Sequence, residues 1–436
     1  MSTSKVACVS SLTSTTARPS PRSARAWCSP SRNYASAKTA RRSTDRSMLP
    51  LRAGAEAMKL RKVGIVGVGL TPFDKHEGVP VERLVQQAAL AALADGGVKL
   101  AEVGAVYASH LYQGEVFGER MTSGLRAPEM EIANFENACA GGSTAVRQAA
   151  LAVAAEQHDL ILVIGAEKMD RGLISFVSAD RELTMGSIAP AQYALAGQRH
   201  MHEFGTTAED FARVAVKSRR HGALNPNARL REEVTLDQVM ASRPIAEPLT
   251  LLQCCRNGSG AAAILVGSER WCQRRGGAKI WIEGSGLRAQ TGDANVRDLT
   301  NFGATRAAAK AAYEAAGIGP DDVDLVELHD AFTIGELLHY EGLGLCAKGE
   351  GARLVRDGDI ALGGRVPVNV SGGLLCKSHP VGATGLAQFA ELTWQLRGEA
   401  DGRQVEGARV AVAHSQGGTG LEALATCVTV LARDGR

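Results

Sequence analysis

From residue 58 onward, short runs of β-branched and aliphatic residues alternate with longer Ala-rich stretches whose apolar positions recur at helical spacing. The apolar runs predict strands over Val63–Val68, Ala105–Ala108, Leu160–Ile164, Ala262–Val266, Ile280–Glu283, Leu325–Glu327 and Arg409–Ala413. The periodic stretches predict helices over Val81–Leu93, Ala145–Glu156, Ala304–Ala316 and Leu386–Leu396. Strands that alternate with helices imply βαβ units and a mostly parallel sheet, so the expected fold class is α/β. The rhythm breaks over residues 170–275, where Met185, Tyr193, Met201, Phe204 and Phe211 stand among polar loops. That region reads as an insertion, a natural place for substrate contacts.

The pattern repeats. Ala91-Ala92-Leu93-Ala94-Asp95-Gly96-Gly97-Val98 resembles Ala311-Ala312-Tyr313-Glu314-Ala315-Ala316-Gly317-Ile318, and Glu102-Val103 matches Asp322-Val323 at the same offset of 220. In both copies a helix ends in Gly, which takes the left-handed conformation without steric cost. A second correspondence, at an offset of 240, pairs Cys139-Ala140-Gly141-Gly142-Ser143-Thr144-Ala145 with His379-Pro380-Val381-Gly382-Ala383-Thr384-Gly385. Two matches in the same order point to a duplicated architecture, with one half over 58–275 and the other over 276–436.

Composition narrows the function classes. The chain has 436 residues, 45% hydrophobic and 22% charged, an ordinary globular balance. No apolar run is long enough for a membrane-spanning helix. Nine cysteines without a CxxC pair support neither a disulfide scaffold nor structural zinc, so no metal is expected. The net charge of +3 conceals an asymmetry: residues 1–57 carry ten Lys/Arg against Asp45 and Glu56, a net +8, and the rest of the chain is −5. Basic charge confined to one end argues against a nucleic-acid partner. Rich in Ser, Thr, Ala and Arg, that end reads either as an organelle transit segment or as an over-long reading frame that truly starts at Met58. Residues 1–57 are expected to be disordered. The expected compartment is the cytoplasm, or the mitochondrion if the transit reading holds.

Four residues stand in positions suited to chemistry. Cys139 lies directly before a helical stretch, where the helix dipole and backbone N–H groups favour the thiolate. His379 occupies the matching helix start in the second copy, and a His beside a Cys can take the thiol proton. His329, in His329-Asp330-Ala331-Phe332, and His414, before Gln416-Gly417-Gly418-Thr419-Gly420, each follow a predicted strand, the usual site position in α/β folds. The remaining histidines read as surface or packing residues. Gly67-Val68-Gly69 is an incomplete dinucleotide fingerprint and reads as a strand-to-loop turn. Adjacent Cys254-Cys255 cannot span a zinc site and reads as packing.

These motifs, taken together, resemble the thiolase family from Met58 to the C-terminus, and within it the sterol-carrier (lipid-transfer) branch. The resemblance rests on the Cys139 loop, the His329-Asp330-Ala331-Phe332 loop, the His379-Pro380-Val381-Gly382-Ala383-Thr384-Gly385 loop and the Gly-rich turn after His414. That branch opens the second loop with His, as at His329, and carries His in the last motif, as at His414. Gly165-Ala166-Glu167-Lys168-Met169 also resembles it. The resemblance implies a five-layered αβαβα fold of two similar halves, assembled as a homodimer or tetramer. It implies acyl transfer with coenzyme A thioesters as substrates and no bound cofactor. Cys139 would hold the acyl group and His379 would activate it. His329 would form one oxyanion site, and the N–H groups of Cys139 and the turn near Gly418 another, each donor worth on the order of 3–4 kcal/mol.

The sequence departs from the family at one point. Ordinary thiolases move the substrate α-proton with a second cysteine, and the sterol-carrier branch supplies it from the His-Asp loop. Here those two positions hold His414 and Ala331. His414 is the expected substitute base; Cys376 is another thiol nearby in sequence, with no role in the family pattern. The alternative reading is a thiolase-fold acyl-CoA or lipid binder without turnover, or a subunit that depends on a small OB-fold zinc protein. For CoA phosphates, Arg171, Lys217, Arg219 and Arg220 are available, or they form an ordinary solvated face.

Overall fold

A computed structural model describes residues 61–125, 129–169, 188–274, 276, 279–289, 298–418 and 424–434. The expectation for residues 1–57 lies outside them. In chain order the first half holds β1 (Val63–Leu70), α1 (Val81–Gly96), β2 (Ala105–Ser109), α2 (Phe117–Ser123), β3 (Glu131–Phe135), α3 (Gly141–Ala154) and β4 (Leu160–Glu167). It continues through α4 (Ala189–Phe204), α5 (Ala208–Ala223), α6 (Leu236–Met240), the short strands β5 (Pro244–Ala246) and β6 (Leu249–Thr250), β7 (Gly260–Ser268) and α7 (Glu269–Arg274). The second half holds β8 (Ile280–Ala289), α8 (Gly303–Ala316), β9 (Leu325–Glu327), α9 (Thr333–Gly342), α10 (Gly351–Asp357), α11 (Gly373–Lys377), α12 (Val381–Arg397), β10 (Val410–Gly417) and β11 (Ala425–Arg433).

Nine strands form one sheet in the order β3-β2-β4-β7-β1-β8-β11-β10-β9. Its two halves have the same plan. Outward from the β1–β8 contact, each runs first strand, last strand, then two parallel neighbours. The register agrees as well: Ala105 pairs with Ile161 in one half and Leu325 with Ala411 in the other. The third strand survives in the second half as a single parallel bridge, Val326 to Val368.

Period-two alternation sorts the strand side chains into layers. Ile161, Val163, Ala262, Ile264 and Val266 turn inward with Ala411 and Ala413, and all pack with α3 and α12 in one core. Their neighbours Leu160, Leu162, Ile164, Ala263 and Leu265 face α1. On the other side Val410, Val412, Val428 and Val430 face α8. The result is helix, one half of the sheet, paired helices, the other half of the sheet, helix. The helices sit close because small residues let them. A Cβ on Gly67 or Gly69 would stand 2.3 or 2.4 Å from α1 carbonyls, and one on Gly284 or Gly286 2.2 or 2.1 Å from α8 carbonyls. Gly67 and Gly69 therefore lie inside β1, and the turn expected there is replaced by a strand that a helix approaches closely.

Two strands of this nine-stranded sheet escaped the hydrophobic pattern. β11 reads Ala-Thr-Cys-Val-Thr-Val-Leu-Ala-Arg, and its threonines hide the run although seven of its nine residues are buried. β3 lies at the sheet edge and is half-exposed, with little apolar signal. Between β4 and β7 lie about ninety residues, whereas only residues 418–424 separate β10 from β11 in sequence. The described part of that long segment, α4 to β6, packs with α9 and the strand-end loops of the second half; residues 170–187 lie outside the described residues.

Candidate active site

The site is assembled where strand ends of the two halves meet the starts of α3 and α12. Cys139 sits in a single helical turn, Ala138–Ala140, that leads directly into α3. Ala138 takes a left-handed conformation with φ 46°, and the Glu136 carboxylate accepts its N–H at 2.6 Å. Behind this turn lies Gly417, where a Cβ would stand 2.1 Å from the Asn137 carbonyl and 2.7 Å from the Cys139 nitrogen. Only glycine admits that approach. In the second half, Ser378 holds φ 81° immediately before His379, and the His379 N–H donates to the Arg256 carbonyl at 2.9 Å. His329 follows β9, and its N–H points to His414 Nδ1 at 3.4 Å.

Three of the four expected residues come together. Cys139 Sγ and one ring nitrogen each of His329 and His379 all lie within 4.8 Å of one another. The two rings meet edge to face, 5.1 Å between centroids. The tautomer of His379 follows from its neighbour. Thr384 Oγ1 donates to the Pro380 carbonyl at 2.9 Å, so it accepts from His379 Nδ1 at 2.7 Å. The proton is thus on Nδ1, and Nε2, which has no partner among the described residues, keeps a free lone pair. A cysteine and two histidines are also a zinc-type donor set. Among the described residues no fourth donor joins them.

Burial dominates the electrostatics. It pushes the Cys139 thiol up to about 12, with the Glu167 charge adding to it. This corrects the expectation of a resting thiolate: the helix dipole does not outweigh desolvation here. Burial likewise holds His329 down to about 4 and His379 well below its ordinary value, the latter with help from His329. The resting pair is a neutral thiol beside a neutral imidazole.

His414 is placed differently. It lies within β10, fully buried, and outside the close trio. Its Nδ1 faces the His329 N–H, its Nε2 faces Thr305 Oγ1 at 3.4 Å, and its ring packs on His339 at 4.2 Å. Burial and then His329 hold it down to about 3. It supports the His329 loop from behind. Cys376 turns away altogether, its thiol donating to the Ser218 carbonyl at 3.1 Å. Lys217 is buried in an ion pair with Glu336, and the Arg219 guanidinium donates to the Glu232 carbonyl at 2.6 Å; both are structural. Arg220 is exposed, and Arg171 lies outside the described residues.

Buried carboxylates fix the loops, and sequence reasoning missed them. Glu167 accepts from Leu111 N and Tyr112 N at 2.9 Å, from Gln113 Nε2 at 2.9 Å and from Gly382 N at 3.1 Å. One side chain thereby ties the end of β4 to the loop after β2 and to the start of α12. Asp330 accepts from Leu374 N at 2.7 Å, and Glu327 binds Ser371 and Lys377 just ahead of Ser378. Acids that follow strands were the available signal.

Comparison with known proteins identifies the family. The family descriptions "Thiolase, N-terminal domain" and "Thiolase C-terminal domain-like" match residues 63–269 and 288–433. Benzoylsuccinyl-CoA thiolase subunit BbsB of Thauera aromatica is 42% identical over 372 residues, covering 83% of this chain and 96% of that one. Sterol carrier protein 2 of Homo sapiens is 38% identical over 388 residues, covering 83% of this chain and 71% of that one. Among solved structures, the Ltp2-ChsH2(DUF35) aldolase superposes with a TM-score of 0.77 at 28% identity, over 87% of this chain and all of that one. The chain belongs to the thiolase family and resembles its sterol-carrier branch.

Proposed function

We propose that the chain is an acyltransferase that acts on coenzyme A thioesters by a two-step exchange through an acyl group held on Cys139. His379 Nε2 takes the Cys139 proton as sulfur adds to the acyl carbonyl. The imidazolium that forms is held by the Nδ1–H bond to Thr384. The Cys139 N–H and the Gly418 turn would receive one developing oxyanion, and His329 another. A thiol that is neutral at rest suits this scheme, because the charge appears only during the reaction. The single observation that carries the reading is the approach of Cys139 Sγ to a ring nitrogen of His379, within 4.8 Å.

Incubation with acetyl-CoA followed by intact-mass measurement tests it. An acetyl adduct on the wild-type chain that is missing from Cys139→Ala is expected. If neither chain gains mass with acetyl-CoA or a longer acyl-CoA, the reading falls. Ala331 and His414 at the two second-cysteine positions favour the alternative of a binder or partner-dependent subunit. Adduct formation only after addition of a small OB-fold zinc protein would select that alternative.

A further inference from the structure

The scheme needs a second acid–base group. The two family positions for it hold Ala331 and His414, and His414 has both nitrogens facing other groups behind His329. The segment Gln253–Asn257 meets this need from another part of the chain. Cys254 bridges Phe332 in antiparallel fashion. The Cys255 N–H donates to the Ala331 carbonyl at 2.9 Å, and the Arg256 carbonyl accepts from His379 N at 2.9 Å. Cys255 is thus backbone-bonded to the residue that replaces the branch cysteine and is followed at once by the residue that anchors the base. Its neighbours in sequence and space are committed elsewhere: the Cys254 thiol donates to the Thr250 carbonyl at 3.4 Å and Cys376 to Ser218. No residue among those described accepts a hydrogen bond from the Cys255 thiol, and Cys255 is half-buried where Cys139 and His379 are buried.

We propose that Cys255 is the second acid–base thiol of this site, the group that moves the proton at the substrate α-carbon. The inference rests on the acyl-transfer reading. In thiolytic cleavage, Cys139 takes the acyl group and the bond to the α-carbon breaks, leaving an enolate of the departing thioester. The Cys255 thiol protonates that carbon and becomes a thiolate. The thiolate then takes the proton from incoming coenzyme A as its sulfur adds to the acyl group. Cys139 is expelled and regains its proton from His379. No outside oxidant or acid is needed, and Cys255 ends as it began. Burial, with the charges of Asp330, Cys254 and Cys139 adding to it, pushes the Cys255 thiol well up. That suits a group that is protonated at rest and donates first.

The test separates proton transfer from acylation. Acetyl-CoA is incubated in D2O with wild type, Cys255→Ala, Cys255→Ser and His414→Asn, and two quantities are read: deuterium entering the acetyl methyl group, and the acetyl adduct on Cys139. Loss of deuterium exchange by at least about 100-fold in Cys255→Ala with the adduct retained is expected, since general acid–base groups contribute about 10²- to 10⁴-fold. Cys255→Ser, a near-isosteric change, guards against a folding defect and should lose exchange as well. Wild-type exchange in both Cys255 variants overturns the proposal, and loss confined to His414→Asn assigns the role to His414. A wild-type chain that forms no adduct fails the acyl-transfer reading itself, and the Cys255 assignment falls with it.

Discussion

The two halves of the molecule share a strand order, a register and a helix plan, but they place different residues at equivalent points. Cys139 and His379 occupy the same position, each preceded by a residue with positive φ, Ala138 and Ser378. At the end of the second strand Ser109 corresponds to His329, and in the fourth strand Ile164 corresponds to His414. One half therefore supplies a thiol among small and apolar neighbours, and the other supplies the imidazoles. Duplication gave two similar helix starts that face each other across the central layer. Different single side chains at those starts make the pair a thiol and an imidazole.

The comparison can be broken most severely at the shared position. His379→Gln keeps bulk but removes the accepting nitrogen, and kcat should fall by about 10²- to 10⁴-fold. Turnover at near wild-type rate would mean that another group takes the Cys139 proton. His329→Ala makes the second half more like the first, where Ser109 stands. Loss of one oxyanion donor should lower kcat by about 10²- to 10³-fold, while the acetyl adduct on Cys139 still forms more slowly. An unchanged kcat would remove His329 from the reacting groups.

The halves should also differ in acid. His329 and His414 are held down to about 4 and about 3, from an ordinary value near 6.5. A depressed histidine favours the neutral, folded form, so its contribution is complete above pH 6.5 and is lost as pH falls toward the folded value. Each such group adds a slope of up to about 1.4 kcal/mol per pH unit. Hydrogen exchange at pH 5 should therefore open β9 and β10 before β2 and β4. Simultaneous opening would show that the buried histidines do not control acid stability. On the alkaline side the raised Cys139 thiol acts oppositely. Its contribution is present below the ordinary thiol value and is lost as pH rises toward about 12.

The smallest effect concerns the residues with positive φ. Left-handed backbone costs a non-glycine residue about 1–2 kcal/mol. Ala138→Gly or Ser378→Gly should raise stability by up to about 1 kcal/mol in denaturant melts. If the strained backbone aims Cys139 and His379, kcat falls severalfold in the same variants. A stability gain with unchanged kcat would reduce the shared strain to a by-product of the fold.

Much of this was legible in the sequence. Gly97 and Gly317 end α1 and α8 with φ 63° and 65°, as the repeat required. Cys139, His329 and His379 stood out because each combines a reactive residue type with a strand end or helix start. The protonation states were not legible. A helix start favours a thiolate, but whether desolvation outweighs that preference depends on what the other half packs over it. Glu167 was visible only as an acid after a strand; its four donors come from residues 111–113 and Gly382.

By itself the sequence determined the α/β alternation, the duplication, the helix ends and the identity of three close site residues, because each depends on short-range periodicity or on residue chemistry. Only the tertiary structure decided that His414 stands behind His329, that Cys376 turns away and that Cys255 lies against Ala331. Those outcomes depend on which strand ends are neighbours, and the sheet sets that through backbone pairing between residues tens to hundreds of positions apart, which leaves no local trace in the chain.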